Sequence, residues 1–254
     1  MSNSEPIPFL EEITLNAWPA LQTVQYDGWL LRFAGGYTRR ANSINPLYPS
    51  TLAPLEKIAY CEKVYNQRGL DTVFKLTEAA QPSELDDLLA EQGYRKDALT
   101  SMQKLELPSK LAATPPGLLT FDGKEYLTED WLKNFCRLNR VNERYFPVMQ
   151  KLLENIVPAK CFMTVSQEEQ VVAVGLAVAE RGYMGLFDIV TAEQVRKQGI
   201  GQHLILALLN WGQLNGATQA YLQVMQDNLP ARRLYQKLGF QEIYTYWYRI
   251  KSFG

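Results

Sequence analysis

Val195-Arg-Lys-Gln-Gly-Ile-Gly-Gln-His-Leu204 and, a short way on, Gln223-Val-Met-Gln-Asp-Asn-Leu-Pro-Ala-Arg-Arg-Leu-Tyr-Gln-Lys-Leu-Gly-Phe240 are the stretches on which the fold turns. In the first, a strand ending near Val190 leads into a loop whose glycines, Gly199 and Gly201, let the backbone turn tightly and approach a ligand. From Gly199 the apolar period becomes helical, with Ile200, Leu204, Leu208 and Trp211 on one face. The opening N–H groups of such a helix have no partner and point outward, with the positive end of the helix dipole behind them. A pyrophosphate suits that setting. Arg196 and Lys197 add charge at its rim. Gly-x-Gly alone is weak evidence, since glycine near 7% of residues gives roughly one such pair per chain of this length by chance. The three-glycine dinucleotide fingerprint and the Gly-Lys-Ser/Thr of a P-loop are both absent here. In the second stretch, Asp227-Asn228 and Pro230 open a helix, Ala231, Leu234, Tyr235 and Leu238 form its apolar face, and Gly239 stops it.

Outward from these segments, residues 161–166 and 170–180 alternate like the arms of a hairpin, and 183–190 reads as a third strand after the turn at Arg181-Gly182. A short strand over 220–224 and a closing strand over 244–251 complete the set, with helical patterns at 128–137 and 141–155. Pro108-Ser-Lys-Leu-Ala-Ala-Thr-Pro-Pro-Gly117 reads as a linker. The expected division is a first lobe over 1–108, a linker over 109–120 and a second lobe over 121–254. The first half repeats the grammar of the second. Gly36 and Gly182, like Gly93 and Gly239, stand 146 residues apart, and Gly69 and Gly216 stand 147 apart. A constant spacing of breakers indicates a duplicated fold.

Composition removes whole classes of function. The chain has 254 residues, 46% hydrophobic and 21% charged, with formal net charge −1. No global field draws it to nucleic acid or to an anionic membrane. A helix-turn-helix reading of residues 199–238 also fails on the strand between its helices. The start, Met1-Ser-Asn-Ser-Glu-Pro, is polar and acidic, unlike a secretory signal, and the apolar runs fall far short of a membrane span. Cys61, Cys136 and Cys161 are too scattered for a disulfide framework or a metal site, and read as reduced thiols in a core. His203 is the single histidine, which argues against a His-based metal site or a Ser-His-Asp triad, and no metal is expected. A cytoplasmic protein fits best.

Arg196-x-x-Gly199-x-Gly201 followed by Asn228-x-x-Ala231-x-x-Leu234-Tyr235-x-x-x-Gly239-Phe240 resembles the paired signature of the GNAT N-acyltransferases over about 130 residues. The resemblance implies an α+β fold: two GNAT-like lobes, each a mixed, mostly antiparallel sheet flanked by helices. It implies acetyl-CoA as co-substrate, lying in a splay between two central strands, and an amine acceptor. Carried over, backbone amides of Arg196, Lys197, Gln198, Gly199, Ile200 and Gly201 hold the pyrophosphate. Backbone at Ile189, Val190 and Thr191 pairs with pantetheine, Asn228 contacts the cofactor, and Tyr235 stands near the thioester sulfur. A phenol there is chemically apt. Its pKa near 10 keeps it protonated at neutral pH, so it can give a proton to a leaving thiolate whose conjugate acid has a pKa near 8.5. Asp188, on the strand before the loop, is the candidate base, with Glu143 and Glu180 weaker choices and a water chain an alternative. Residues 170–180 and 244–248 are offered as walls of the acceptor site, although strand packing is the better account of the aromatic set Tyr244, Tyr246, Trp247 and Tyr248.

At the same spacing the first lobe has Leu89 where the second has Tyr235, Pro82 where it has Asn228, and Pro49-Ser-Thr-Leu-Ala-Pro54 where it has the glycine loop. That lobe therefore reads as GNAT-like without cradle or acid. The expected function is acetyl transfer from acetyl-CoA to a primary amine, of a small molecule or a protein N-terminus. An acyl-CoA-binding sensor or scaffold without turnover is the alternative, and Tyr235 argues for the enzyme. Sequence leaves the acceptor and the oligomeric state open.

Overall fold

A computed structural model describes residues 6–109, 111 and 119–254. Its elements run α1 (Ile7–Ala17), β1 (Gln22–Tyr26), β2 (Trp29–Phe33), β3 (Ile44–Asn45), α2 (Pro54–Asn66), β4 (Thr72–Thr77), α3 (Leu85–Glu91) and β5 (Arg95–Glu106). They continue with β6 (Leu119–Lys124), α4 (Glu129–Asn139), α5 (Phe146–Glu154), β7 (Ala159–Gln167), β8 (Gln170–Glu180), β9 (Tyr183–Thr191), α6 (Ile200–Leu214), β10 (Gln219–Met225), α7 (Leu229–Lys237) and β11 (Gln241–Lys251). The fold is α+β, as expected. Most of the expected linker lies outside the described residues, and its last two positions already belong to β6, a strand the sequence reading did not mark.

The chain forms two compact units, Met1–Ser101 with Tyr244–Gly254, and Met102–Ile243. This differs from the division read off the sequence at both ends. Leu105 and Leu107 pack into the core of the second unit. The closing strand, expected to finish the second lobe, pairs antiparallel with β4 of the first, from Tyr246↔Thr77 to Lys251↔Thr72. Local alternation reveals a strand but not its partner.

Within each unit one topology recurs. In the first, β1, β2 and β3 pair antiparallel in order, then β3 and β4 pair parallel with α2 as the crossover. In the second, β7, β8 and β9 pair antiparallel, then β9 and β10 pair parallel with α6 between them. The crossover helices begin at Pro54 and Ile200, again 146 residues apart.

The first unit buries Trp29, Leu31, Phe74, Leu76, Leu85 and Leu89 around Tyr65, whose hydroxyl donates to Arg32 O at 2.8 Å. On β11, Tyr246, Tyr248 and Ile250 pack with Val73, while the Tyr244 hydroxyl donates to the buried Glu11 carboxylate at 2.8 Å. The second unit buries Leu186, Leu204, Leu208, Ala220, Leu222 and Phe240 between its sheet and α6. There β8 is buried along both faces, not one, because α4 and α6 both pack against it. Trp131 of α4 adds an indole N–H bond to Met163 O at 3.1 Å. All three cysteines are buried and free, and burial pushes each thiol up, to about 12, 11 and 12 for Cys61, Cys136 and Cys161. Among the described residues no helix is long and apolar enough to cross a membrane.

Candidate active site

The central feature of the second unit is a parallel strand pair that stops early. Although β9 has nine residues and β10 seven, their register covers only four pairs, ending at Leu222↔Leu186. The cause lies on the other side of β9. Val174 pairs with Val190 and Leu176 with Phe187, so β9 carries one extra residue there, a β-bulge at Asp188 and Ile189. Asp188 adopts φ 51°, a left-handed conformation that is uncommon outside glycine. Such strain clusters at functional sites. The side chain of Ile189 turns into the core against α6, into room left by Gly175: a Cβ on Gly175 would come 2.7 Å from Ile189 Cδ1 and 3.1 Å from Leu208 Cδ1. Ile189 is thus anchored by its side chain, which leaves its backbone to do the pairing expected of it.

After β9 the chain passes a short 3-10 turn, Glu193–Val195, and an exposed loop in which Lys197 (φ 65°) and Gly199 (φ 83°) both take left-handed backbone. Gly199 is the N-cap of α6 and offers no side-chain cap, and the first turn of α6 holds no acid. The first intrahelical bond is His203 N–H to Gly199 O at 3.1 Å. The amides of Ile200, Gly201 and Gln202 precede it and have no place in the helical ladder. By contrast α4 is capped by Thr128, and α7 by Asn228, whose Oδ1 accepts from Ala231 N–H at 3.3 Å. That bond engages only the oxygen of Asn228; its NH2 group donates to nothing among the described residues.

Gly201 is where three elements meet. A Cβ there would stand 3.6 Å from Thr191 Cγ2 at the end of β9 and 3.6 Å from Leu234 Cδ2 of α7, ordinary contact distances. Neither backbone nor packing demands glycine at this position. Next to it Lys237, in the last turn of α7, donates to Gln202 Oε1 at 3.2 Å. Arg196 and Lys197 are exposed; Arg196 lies 3.9 Å from Glu193, which Arg140 holds more closely at 2.8 Å. Lys237 and Arg140 were missed in the sequence because nothing local ties them to the loop. Their link is spatial, across 35 and 53 residues.

Tyr235 packs on the same face of α7 as Ala231 and Leu234, with its ring edge-on to Phe240 at 5.9 Å between centroids. Its hydroxyl has no hydrogen-bond partner among the described residues, and burial pushes the phenol up to about 12. Of the other acid–base candidates, Glu143 is exposed in a 3-10 turn. Glu180 pairs with Tyr183 at the opposite end of β9 from the loop. Asp188 alone stands at the bulge.

The corresponding loop of the first unit is differently filled. An Asp27-Gly28 hairpin turn lies hard against Tyr48 and Pro49, so close that a Cβ on Gly28 would come 2.4 Å from Pro49 O. Asp27 thereby receives the N–H groups of Thr51 and Leu52 at 3.0 and 2.9 Å, the Thr51 hydroxyl at 2.8 Å and the Lys57 ammonium at 3.2 Å. The Leu52 N–H first, then the Thr51 groups and Lys57, hold the Asp27 carboxyl well below the usual carboxylate range. Thr51 and Leu52 precede α2 as Lys197 and Gln198 precede α6, and the anion they bind is the chain's own. Leu89, at the position corresponding to Tyr235, is fully buried in the core.

A parallel strand pair opening onto an uncapped helix start is the arrangement of the GNAT acyltransferases, and the chain is an acyltransferase of that superfamily. It belongs to the family described as probable histone acetyltransferase Rv0428c C-terminal, which it matches over residues 5–249. It is 32% identical over 245 residues to the N-acetyltransferase YobR of Bacillus subtilis (strain 168), itself uncharacterized, covering 95% of this chain and 97% of that one. The fold is similar to a GCN5-related N-acetyltransferase from Kribbella flavida, with TM-score 0.71 at 16% identity over 99% and 98% of the two chains. It is similar also to a tandem GNAT protein from the clavulanic acid biosynthesis pathway, with TM-score 0.67 at 11% identity over 96% and 88%.

Proposed function

We propose that the second unit transfers an acetyl group from acetyl-CoA to a primary amine by direct attack within a ternary complex. Gly201 is the observation that carries this reading. Its missing side chain serves neither the helix nor the packing, so it serves something that comes close to the helix start from outside. The amides from Arg196 to Gly201 would hold the pyrophosphate, with Lys237 and Arg196 adding charge. The backbone of Ile189, Val190 and Thr191, turned from β10 by the bulge, would pair with pantetheine, and the Asn228 NH2 group would donate to it.

Tyr235 gives its phenolic proton to the departing sulfur as the C–S bond breaks and the C–N bond forms. Asp188, or water, takes the proton that the acceptor nitrogen sheds, and solvent restores Tyr235. The raised phenol stays protonated throughout the neutral range, which keeps the acid loaded while making it a weaker donor than a free phenol. The family's name concerns histones, so protein amino groups join small amines as acceptor classes to test. The experiment is release of free thiol from acetyl-CoA with the full chain, against small amines, peptides with free N-termini and lysine peptides. Amine-dependent thiol release is expected. CoA binding with no release across the panel would instead make this unit a CoA-binding module.

A further inference from the structure

Within the second unit, on the side of α7 away from Tyr235, lies a cavity of about 580 Å³. That is a size typical of small-molecule sites. None of the cradle residues lines it. Leu229, Arg232, Arg233 and Gln236 face it from α7, following helical spacing, and Gln241 and Glu242 face it from the start of β11. Phe240 gives it an apolar wall and the buried Gln103 a polar one.

The charges of this cavity are informative. Arg232 donates to Gln226 O at 3.2 Å, which fixes its guanidinium near the beginning of α7. Arg233 and Glu242 have no ion-pair or hydrogen-bond partner among the described residues, and they do not pair with each other although they share the cavity. The side-chain amides of Gln236 and Gln241 are likewise unengaged among those residues. Opposite charges held apart around one hollow match a ligand bearing both charges, with guanidinium forks suited to a carboxylate.

We propose that this cavity is a second ligand site, distinct from the acetyl-transfer cradle, for a small zwitterion with a carboxylate and an ammonium group, amino acid to dipeptide in size. The carboxylate meets Arg232 and Arg233, the ammonium meets Glu242, and an apolar side chain lies on Phe240 and Leu229. Because Phe240 also stacks edge-on with Tyr235, an occupant lies one ring away from the proposed acid.

The test is calorimetric titration of the full chain, with no acyl donor present, using the dipeptide Gly-Leu, its N-acetyl derivative and its C-terminal amide. Gly-Leu is expected to bind saturably, and both masked forms about tenfold or more weaker. Arg233→Gln is expected to reduce the preference over the amide, which Arg232 alone then carries, and Glu242→Gln to erase the preference over the N-acetyl form. Both positions are exposed on the surface, so both variants should stay folded. No saturable Gly-Leu binding would overturn the proposal. So would equal binding of the masked forms, or affinity unchanged in both variants. Failure of acetyl transfer would leave each of these readings intact, since no step of the titration involves an acyl donor.

Discussion

Gly201 stands at the second position of α6, where alanine fits the space and favours the helix by roughly 1 kcal/mol. Stability and binding should therefore part company. Gly201→Ala is expected to hold or raise the melting temperature while lowering CoA affinity about tenfold or more. Equal CoA affinity in the variant would remove the warrant for the cradle. At Tyr235, replacement by Phe should keep CoA affinity and lower kcat by about 10²–10⁴-fold; a change confined to KM would make the ring a packing group. The raised phenol adds a pH signature. Its folded pKa, about 12, lies above the ordinary value of 10, so the group is protonated on both sides of neutrality. At saturating acceptor, kcat should show no falling limb up to pH of about 10. A fall with a midpoint near 8 or 9 would contradict Tyr235 as the acid. These residues were legible in the sequence because glycine spacing and helix period are local signals. The engagement of the Asn228 oxygen in capping α7 was equally local, since an Asn before a Pro-led helix is a usual cap.

At the level of elements, the bulge in β9 opens the strand pair, and Gly175 on β8 makes the room that seats it. Gly175→Ala places a Cβ against Ile189, Leu208 and Leu204, an overpacking that should cost about 1–3 kcal/mol. If the bulge positions the cofactor-binding backbone, CoA affinity falls as well. Lost stability with intact affinity would separate the two. The loop before α2 supplies the opposite case. Asp27 has a depressed carboxyl, so its contribution to stability is present above the unfolded value near 3.9 and is lost as pH falls below it. Asp27→Asn should lower the melting temperature at neutral pH and flatten its decline on acidification; an unaltered acid profile would mean that the Asp27 bonds carry no weight. Neither feature could be read from sequence. One extra residue in a strand leaves composition and period unchanged, and Asp27 meets Thr51, 24 positions further on, only once the intervening chain has folded.

Taken whole, the chain places its last strand in its first unit. The alternation of β11 was plain in the sequence, but its partner β4 lies about 170 residues earlier, and pairing over such distances leaves no local mark. A consequence is that the second half is not a free-standing piece. A fragment of residues 121–254 lacks Leu105 and Leu107 from its own core and carries residues 244–251 without β4. It is expected to unfold without a cooperative transition or to aggregate, whereas deletion of 244–254 should destabilise the first unit by removing Tyr246, Tyr248 and Ile250 from its packing. A soluble, cooperatively folding 121–254 fragment would contradict this division. The proposed cradle at Gly201 is expected to be the one CoA site of the chain, since the matching loop of the first unit is closed on Asp27. Calorimetric titration of the full chain with CoA tests this most directly, in the wild type and in a Gly201→Val variant shown to be folded. Saturation at one CoA per chain, with affinity lost in the variant, is the expected result. Two equivalent sites, or binding unchanged in Gly201→Val, would contradict it.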